Sequence, residues 1–229
     1  LLLEEQAAEL KAAGLGRLNI SLDALSEANF FRIARRPGLD RVLAGISAAQ
    51  AAGFERIRLN AVAIRGITEE ELLPLARFAR DRGLELRFIE FMPLDAEQNW
   101  QSHQVLSGEE LRRLLEAEFG ALRAAARPDA SQPAMDFEFA GGGRIGFINP
   151  VSEPFCGDCN RLRITAEGQF RNCLFSTEEW DARALLRGGG TDEQLAELLR
   201  DCVVHKRPGH GIDEPGFLRP ARAMYQIGG

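Results

Sequence analysis

Three β-rich segments, RLNISLDAL (17–25), RIRLNAVAI (56–64) and LELRFIEFM (84–92), recur along the first half of the chain with a helical segment between each pair. One helix is expected near 40–52 and is closed by Gly53; the other, EEELLPLARFARDRG, is closed by Gly83. Glycine suits such ends because it enters the left-handed region without a Cβ penalty. The resulting βαβαβ order implies a parallel sheet, barrel-like or doubly wound, whose ligands collect beyond the carboxyl ends of the strands. Those ends point toward Ser21, Ala63 and Met92.

Around this unit the pattern changes. The first residues, LLLEEQAAELKAAG, place Leu3, Ala7, Leu10 and Ala13 on one helical face before Gly14, and no methionine precedes them. A helix met at its start in this way leads us to expect a piece of a longer protein. After Met92, PLDAEQNWQSHQV is a polar loop, and SGEELRRLLEAEFG is a helix with Ser107 as N-cap and Glu110 three residues on. The runs in DFEFAGGGRIGFINPVS look antiparallel. A boundary near residue 105 is therefore expected, dividing the chain into 1–104 and 105–229. The second part also holds a helix, TDEQLAELLRDCVVHK, and the ending AMYQIGG. ARPDASQP is a short linker or loop, and no internal repeat is evident.

With 229 residues, 45% of them hydrophobic, the chain can bury one substantial core or two small ones. No apolar run approaches the roughly 20 residues that span a bilayer, and the start lacks a secretory pattern, so no membrane segment and a cytoplasmic location are expected. A formal charge of −6 argues against nucleic-acid binding through general electrostatics, so any cationic site must be concentrated. Apart from Lys11 and Lys206 the basic residues are all arginine. For the surface at large, coding bias or adaptation is the favoured reading, since exposed arginines contribute little.

The segment PFCGDCNRLRITAEGQFRNCLF (154–175) holds three of the four cysteines. Cys156 and Cys159 form C-x2-C, a spacing that lets one turn aim two sulfurs at one site, and Cys173 follows downstream. In a chain without secretory signals, metal binding is favoured over disulfides. A structural zinc needs a fourth ligand, for which Cys202, His205 and His210 are the available choices. Cys202, however, sits in the apolar pattern LAELLRDCVV of a buried helix face. Three thiolates alone can hold a 4Fe–4S cluster and leave one iron open to a substrate atom. Buried, redox-idle thiols are the bland alternative. Arg161 and Arg163 follow Cys159 at alternating positions, so an extended segment projects both to one side. Their guanidinium groups suit bidentate capture of phosphate or a base edge. The bland alternative there is a solvated strand face.

FCGDCNRLRITAEGQFRNCLF resembles the auxiliary-cluster motif of the molybdenum-cofactor biosynthesis protein A family, the radical SAM GTP 3′,8-cyclases. The likeness extends, in order, through LNISLDAL, RLNAVAIRG, LRFIEFMP and the terminal IGG. It implies the C-terminal portion of an incomplete (βα)6 TIM-like barrel, followed by a smaller α+β domain that carries the auxiliary cluster and binds GTP. It makes Cys156, Cys159 and Cys173 the ligands of a 4Fe–4S cluster whose open iron meets the purine of GTP. Arg161, Leu162 and Arg163 fall in the substrate-contacting segment. Ser21 and Met92 match positions that contact S-adenosylmethionine, and Arg87 resembles a triphosphate-binding arginine. Arg58 stands where the family usually has lysine, so charge is kept but the contact geometry differs. Gly228 and Gly229 match a double-glycine tail that reaches into the active site and has no side chains to obstruct it.

The resemblance also implies a reaction: reductive cleavage of S-adenosylmethionine, hydrogen removal from C3′ of GTP, attack of the carbon radical on C8, and one-electron reduction of the purine aminyl radical. An electron donor and a cyclic pyranopterin monophosphate synthase acting downstream are the implied partners, and a homodimer is an allowed assembly. The family's CxxxCxxC motif, which holds a second 4Fe–4S cluster, does not occur in this chain. This polypeptide alone is therefore expected to be inactive in radical generation, and its truncated sheet to present an unpaired parallel edge. A zinc- or nucleotide-binding module, or another radical SAM enzyme with an auxiliary cluster, are the alternatives. His103, His205 and His210 receive no role.

Overall fold

A computed structural model describes residues 2–94, 99–212 and 214–227. The elements run α1 (Leu3–Ala12), β1 (Arg17–Ser21), α2 (Glu27–Ala34), α3 (Leu39–Ala51), β2 (Arg56–Ala63), α4 (Thr68–Asp81), β3 (Glu85–Glu90) and α5 (Gly108–Phe119). There follow β4 (Arg123–Ala124), β5 (Met135–Glu138), β6 (Arg144–Ile148), β7 (Arg163–Ile164), β8 (Gln169–Arg171), β9 (Trp180–Asp181), α6 (Ala182–Arg187) and α7 (Asp192–Val204). They divide into two compact units, residues 1–91 with 103–152, and residues 92–102 with 153–229.

The first unit is built on a six-stranded sheet in the order β1-β2-β3-β6-β5-β4. The pairs β1–β2, β2–β3 and β3–β6 are parallel, and β5 joins β4 and β6 antiparallel. Period-two alternation explains its layering. Leu59, Ala61, Leu86, Phe88, Ile145 and Phe147 are buried together with Ile46 of α3, Leu72 and Leu75 of α4, and Leu111 of α5. Each such leucine, isoleucine or phenylalanine contributes about 1.5–3 kcal/mol on burial. Ser107 caps α5 in a reciprocal capping box with Glu110, as its spacing predicts.

Four details differ from the sequence reading. β1 stops at Ser21, four residues short of the end of the 17–25 segment. β3 stops at Glu90, two residues before Met92. A short helix, α2, is capped by Ser26, whose hydroxyl accepts from Asn29 N; eight residues give too little periodicity to announce it. Finally, β6 pairs antiparallel with β5 but also parallel with β3, because its alternation of Ile145 and Phe147 matches the core face of β3. The pattern change near residue 105 consequently falls inside the first unit.

The second unit contains the three-stranded antiparallel sheet β7-β8-β9 with α6 and α7. Phe170, Trp180, Ala182 and Cys202 form one small core, with Leu195, Leu198 and Leu199 packed on it. Leu94, Phe175 and Ile227 form another, joined by Met92 and Cys173. Among the described residues, no helix is long and apolar enough to cross a membrane.

Candidate functional site

Opposite the helix-covered face of the first unit's sheet lies a polar one. Register sets Asn19, Arg58 and Glu85 in one row, and Ser21, Asn60, Arg87 and Gly146 in the next, with Asp136 paired to Gly146. Ser21, Arg58 and Arg87 are thus on one face. Arg58 Nε donates to Glu85 Oε2 at 2.5 Å. Arg87 Nη2 donates to Asp136 Oδ2 at 3.2 Å, and Gln132 Nε2 donates to the same oxygen at 2.8 Å. Arg87 Nε is buried with no hydrogen-bond partner, so the guanidinium keeps donor capacity that an anionic ligand would satisfy. Just past β1, Asp23 Oδ1 accepts from Val62 N at 2.8 Å. Burial pushes the Asp23 carboxyl above its ordinary range, against that hydrogen bond.

The second unit gathers the thiols. A 3₁₀ turn, Cys156–Asp158, starts the C-x2-C, and Cys159 N donates to Cys156 O at 3.2 Å. Cys173 follows β8 by two residues. Cys156, Cys159 and Cys173 line one cavity of about 320 Å³ together with Arg161, Lys206 and His210. All three are outside any disulfide and partly buried. Each sulfur has an N–H near it: Arg161 Nε lies 3.2 Å from Cys159 Sγ, Phe175 N lies 3.4 Å from Cys173 Sγ, and the backbone N–H of His210 serves Cys156.

The thiols are electrostatically distinct. Burial pushes Cys156 up, and the nearby Cys173 and Cys159 add to the rise. Burial acts on Cys159 in the same sense, but the backbone and side-chain hydrogen bonds of Arg161 and the charges of Arg161 and Lys206 outweigh it and lower that thiol. Sulfurs that accept N–H donors beside cations favour the thiolate, which is the metal-binding form. Among the described residues no three His, Cys, Asp or Glu side chains are grouped to hold one ion. Cys202 is fully buried in the Phe170 core, apart from this cavity's lining.

Arg161 and Arg163 are half-buried, and Leu162 between them is exposed. Arg161 also lies over the Phe155 ring, 4.7 Å from its centroid. Burial lowers the Arg163 pKa, with the Arg161 charge acting in the same sense. Arg163 Nη1 donates to Ile227 O at 3.3 Å, the carbonyl that precedes the glycine pair. Gly228 and Gly229 themselves lie outside the described residues. Met92 belongs to the second unit, packed on the core of Leu94, Phe175 and Ile227. Sequence reasoning missed Asn60, Asp136 and Lys206. Strand parity with Arg58 signals the first, and scarcity signals the last, since Lys206 is one of two lysines.

Residues 84–212, more than half of the chain and including all three cavity cysteines, match the Molybdenum Cofactor Synthesis C family. Residues 1–79 match the Radical SAM superfamily. A GTP 3′,8-cyclase of Paenarthrobacter nicotinovorans is 46% identical over 244 residues, covering 99% of this chain and 68% of the relative. The chain belongs to the GTP 3′,8-cyclase family. Two other members of that family are the GTP 3′,8-cyclase of Rhodopirellula baltica, 52% identical over all of this chain, and that of Corynebacterium glutamicum, 42% identical over 99% of it. The chain spans 65% and 62% of their lengths respectively. The radical SAM match takes in β1 and β2 of the parallel sheet, whereas β3, β6 and the three cavity cysteines fall in the Molybdenum Cofactor Synthesis C match.

Proposed function

We propose that this chain is the substrate-binding and auxiliary-cluster portion of a GTP 3′,8-cyclase of molybdenum cofactor biosynthesis. On this reading residues 1–104 contribute part of a (βα)6 TIM-like barrel that binds S-adenosylmethionine. Residues 105–229 form the domain for the cluster and GTP, from which β6 returns to the barrel's sheet. The observation that carries the reading is the convergence of Cys156, Cys159 and Cys173 on one cavity, with Arg161 donating to a sulfur.

The donor set fits an iron–sulfur cluster. A single zinc would draw every sulfur to about 2.3 Å from one point, whereas a cluster takes each thiolate on a separate iron and tolerates a wider triangle. Three thiols lining one cavity, with N–H donors beside the sulfurs, suit the second arrangement. When bound, a 4Fe–4S cluster held by three cysteines supplies an iron open to a purine donor atom. The protein's own part is placement and charge. Arg161 and Arg163 present cations beside the thiols, and Leu162 lies between them. Arg87, with an unsatisfied Nε, and Arg58 present cations on the sheet's polar face, where a triphosphate is clamped. Ser21 at the end of β1 and Met92 beyond β3 contact S-adenosylmethionine on this reading, and Gly228 and Gly229 form the tail that enters the site. A second cluster, an electron donor and a downstream synthase belong to the whole protein's activity.

Anaerobic reconstitution with iron and sulfide tests the reading. A brown protein with about four irons and acid-labile sulfide is expected, and GTP should bind in preference to ATP, with loss on Arg161→Ala or Arg163→Ala. A colourless protein holding one zinc, or equal nucleotide binding by both variants, would overturn it.

A further inference from the structure

We propose that Lys206 is a positioning residue of the thiol site: its ammonium fixes the distance between the two backbone segments that carry the cysteines and places a positive charge beside the bound cluster. The cluster half of this proposal rests on the function proposed above; the spacing half rests on the protein alone.

Lys206 Nζ donates to Arg161 O at 2.9 Å and to Asn172 O at 2.7 Å. Arg161 lies two residues after Cys159, and Asn172 lies immediately before Cys173. A single side chain therefore ties the C-x2-C arm to the arm of the third cysteine. The tie has a firm footing. Lys206 follows α7, and Asn172 Nδ2 donates to Cys202 O at 2.8 Å, so the end of that helix grips the Cys173 arm twice. Cys202 is buried against Phe170 and Trp180, and Trp180 Nε1 donates to Asp201 Oδ2 at 2.6 Å, which holds the helix on the small sheet.

The residue type fits the task. In a chain with 28 basic residues, only Lys11 and Lys206 are lysine. A tetrahedral ammonium can bond two carbonyls and keep a third N–H for the cavity that it lines. A guanidinium is a planar fork matched to carboxylates and phosphates. The charge is also placed to act, because Lys206 lines the same cavity as the three cysteines.

The test compares the full chain with Lys206→Met and Lys206→Arg, each checked for native circular dichroism. In the metal-free protein, bridging of Cys159 to Cys173 by dibromobimane, read by mass spectrometry, reports the spacing and should fall in Lys206→Met. After anaerobic reconstitution with iron and sulfide, Lys206→Met should lose its cluster to a chelator roughly 10-fold more readily. Its cluster should also have a lower reduction potential, because a neighbouring cation favours the added electron; a merely structural role would leave that potential in place. Lys206→Arg should restore the potential more fully than the bridging. Native-like Lys206→Met with unchanged bridging, retention and potential would overturn the proposal. If that variant does not fold, unchanged bridging in Lys206→Arg would overturn the spacing half. If the unsubstituted chain takes up no cluster, the functional reading fails, and the bimane comparison still decides the spacing.

Discussion

Asp136 Oδ2 accepts a hydrogen bond from Arg87 Nη2 at 3.2 Å, across the glycine that separates the two residues in the sheet. The side chains are 11% and 20% exposed, so the pair is largely shielded. A Cβ on Gly146 would lie 2.4 Å from Asp136 Oδ1 and 3.2 Å from Arg87 Cγ. Only a bare backbone leaves room for the pair. Asp136→Asn should cost about 2 kcal/mol in urea denaturation, because a buried guanidinium loses its counter-charge. Gly146→Ala should destabilise as well, by crowding the same contact. Titration with GTP should show that Asp136→Asn binds the triphosphate at least as tightly as the unsubstituted chain, since Asp136 competes for Arg87.

Glu71 in α4 anchors the loop that leaves β1. Its carboxylate accepts from Leu25 N at 2.7 Å, from Asn29 Nδ2 at 2.8 Å and from Ser26 Oγ, and it is 3% exposed. Burial pushes its pKa up, and these hydrogen bonds outweigh the rise and hold it below the ordinary value. Glu71→Ala should cost about 2 kcal/mol by chemical denaturation, because the buried Asn29 amide and the half-buried Leu25 N–H lose their acceptor. Hydrogen exchange at Leu25 should quicken in the same variant.

Glu110 provides a pH signature. Burial raises its pKa, but the combined hydrogen bonds from Arg65 and Ser107 outweigh that and bring it down from 4.5 to about 2. A depressed folded-state pKa means that the group stabilises the protein above 4.5 and loses that contribution as pH falls toward 2. Between those limits the urea midpoint of Glu110→Gln should depend less steeply on pH than that of the unsubstituted chain. Equal slopes would remove Glu110 from the account.

The thiols should differ in reactivity in metal-free protein. Cys159 is lowered and Cys156 raised from the ordinary 9.0, so near neutral pH Cys159 has the larger thiolate fraction. Iodoacetamide followed by peptide mass spectrometry should show Cys159 labelled first. Arg161→Ala removes the principal interactions that offset burial and should narrow the difference.

Much of the first unit was legible because its physics is local. Alternation in RIRLNAVAI and LELRFIEFM, and the glycines after the helices, mark β2, β3, α3 and α4 directly. β6 shows why the rest was hidden. RIGFI reads as half of a hairpin with β5, and nothing local records its second, parallel partner Glu85–Ile89. The cysteine spacing pointed to a shared site, but the donors around the sulfurs come from Phe175 and His210, whose backbone groups carry no mark in sequence. Lys206 was visible only as a rarity of composition; its two carbonyl partners are 45 and 34 residues away.

The two faces of the parallel sheet answer to different demands. Leu59, Ala61, Leu86 and Phe88 are fixed by packing, while their immediate neighbours Arg58, Asn60 and Arg87 lie on the polar side. Changing every second residue of β2 and β3 therefore rewrites the chemistry presented there and leaves the scaffold's interior untouched, so descendants of such a sheet can alter ligand preference without first having to refold.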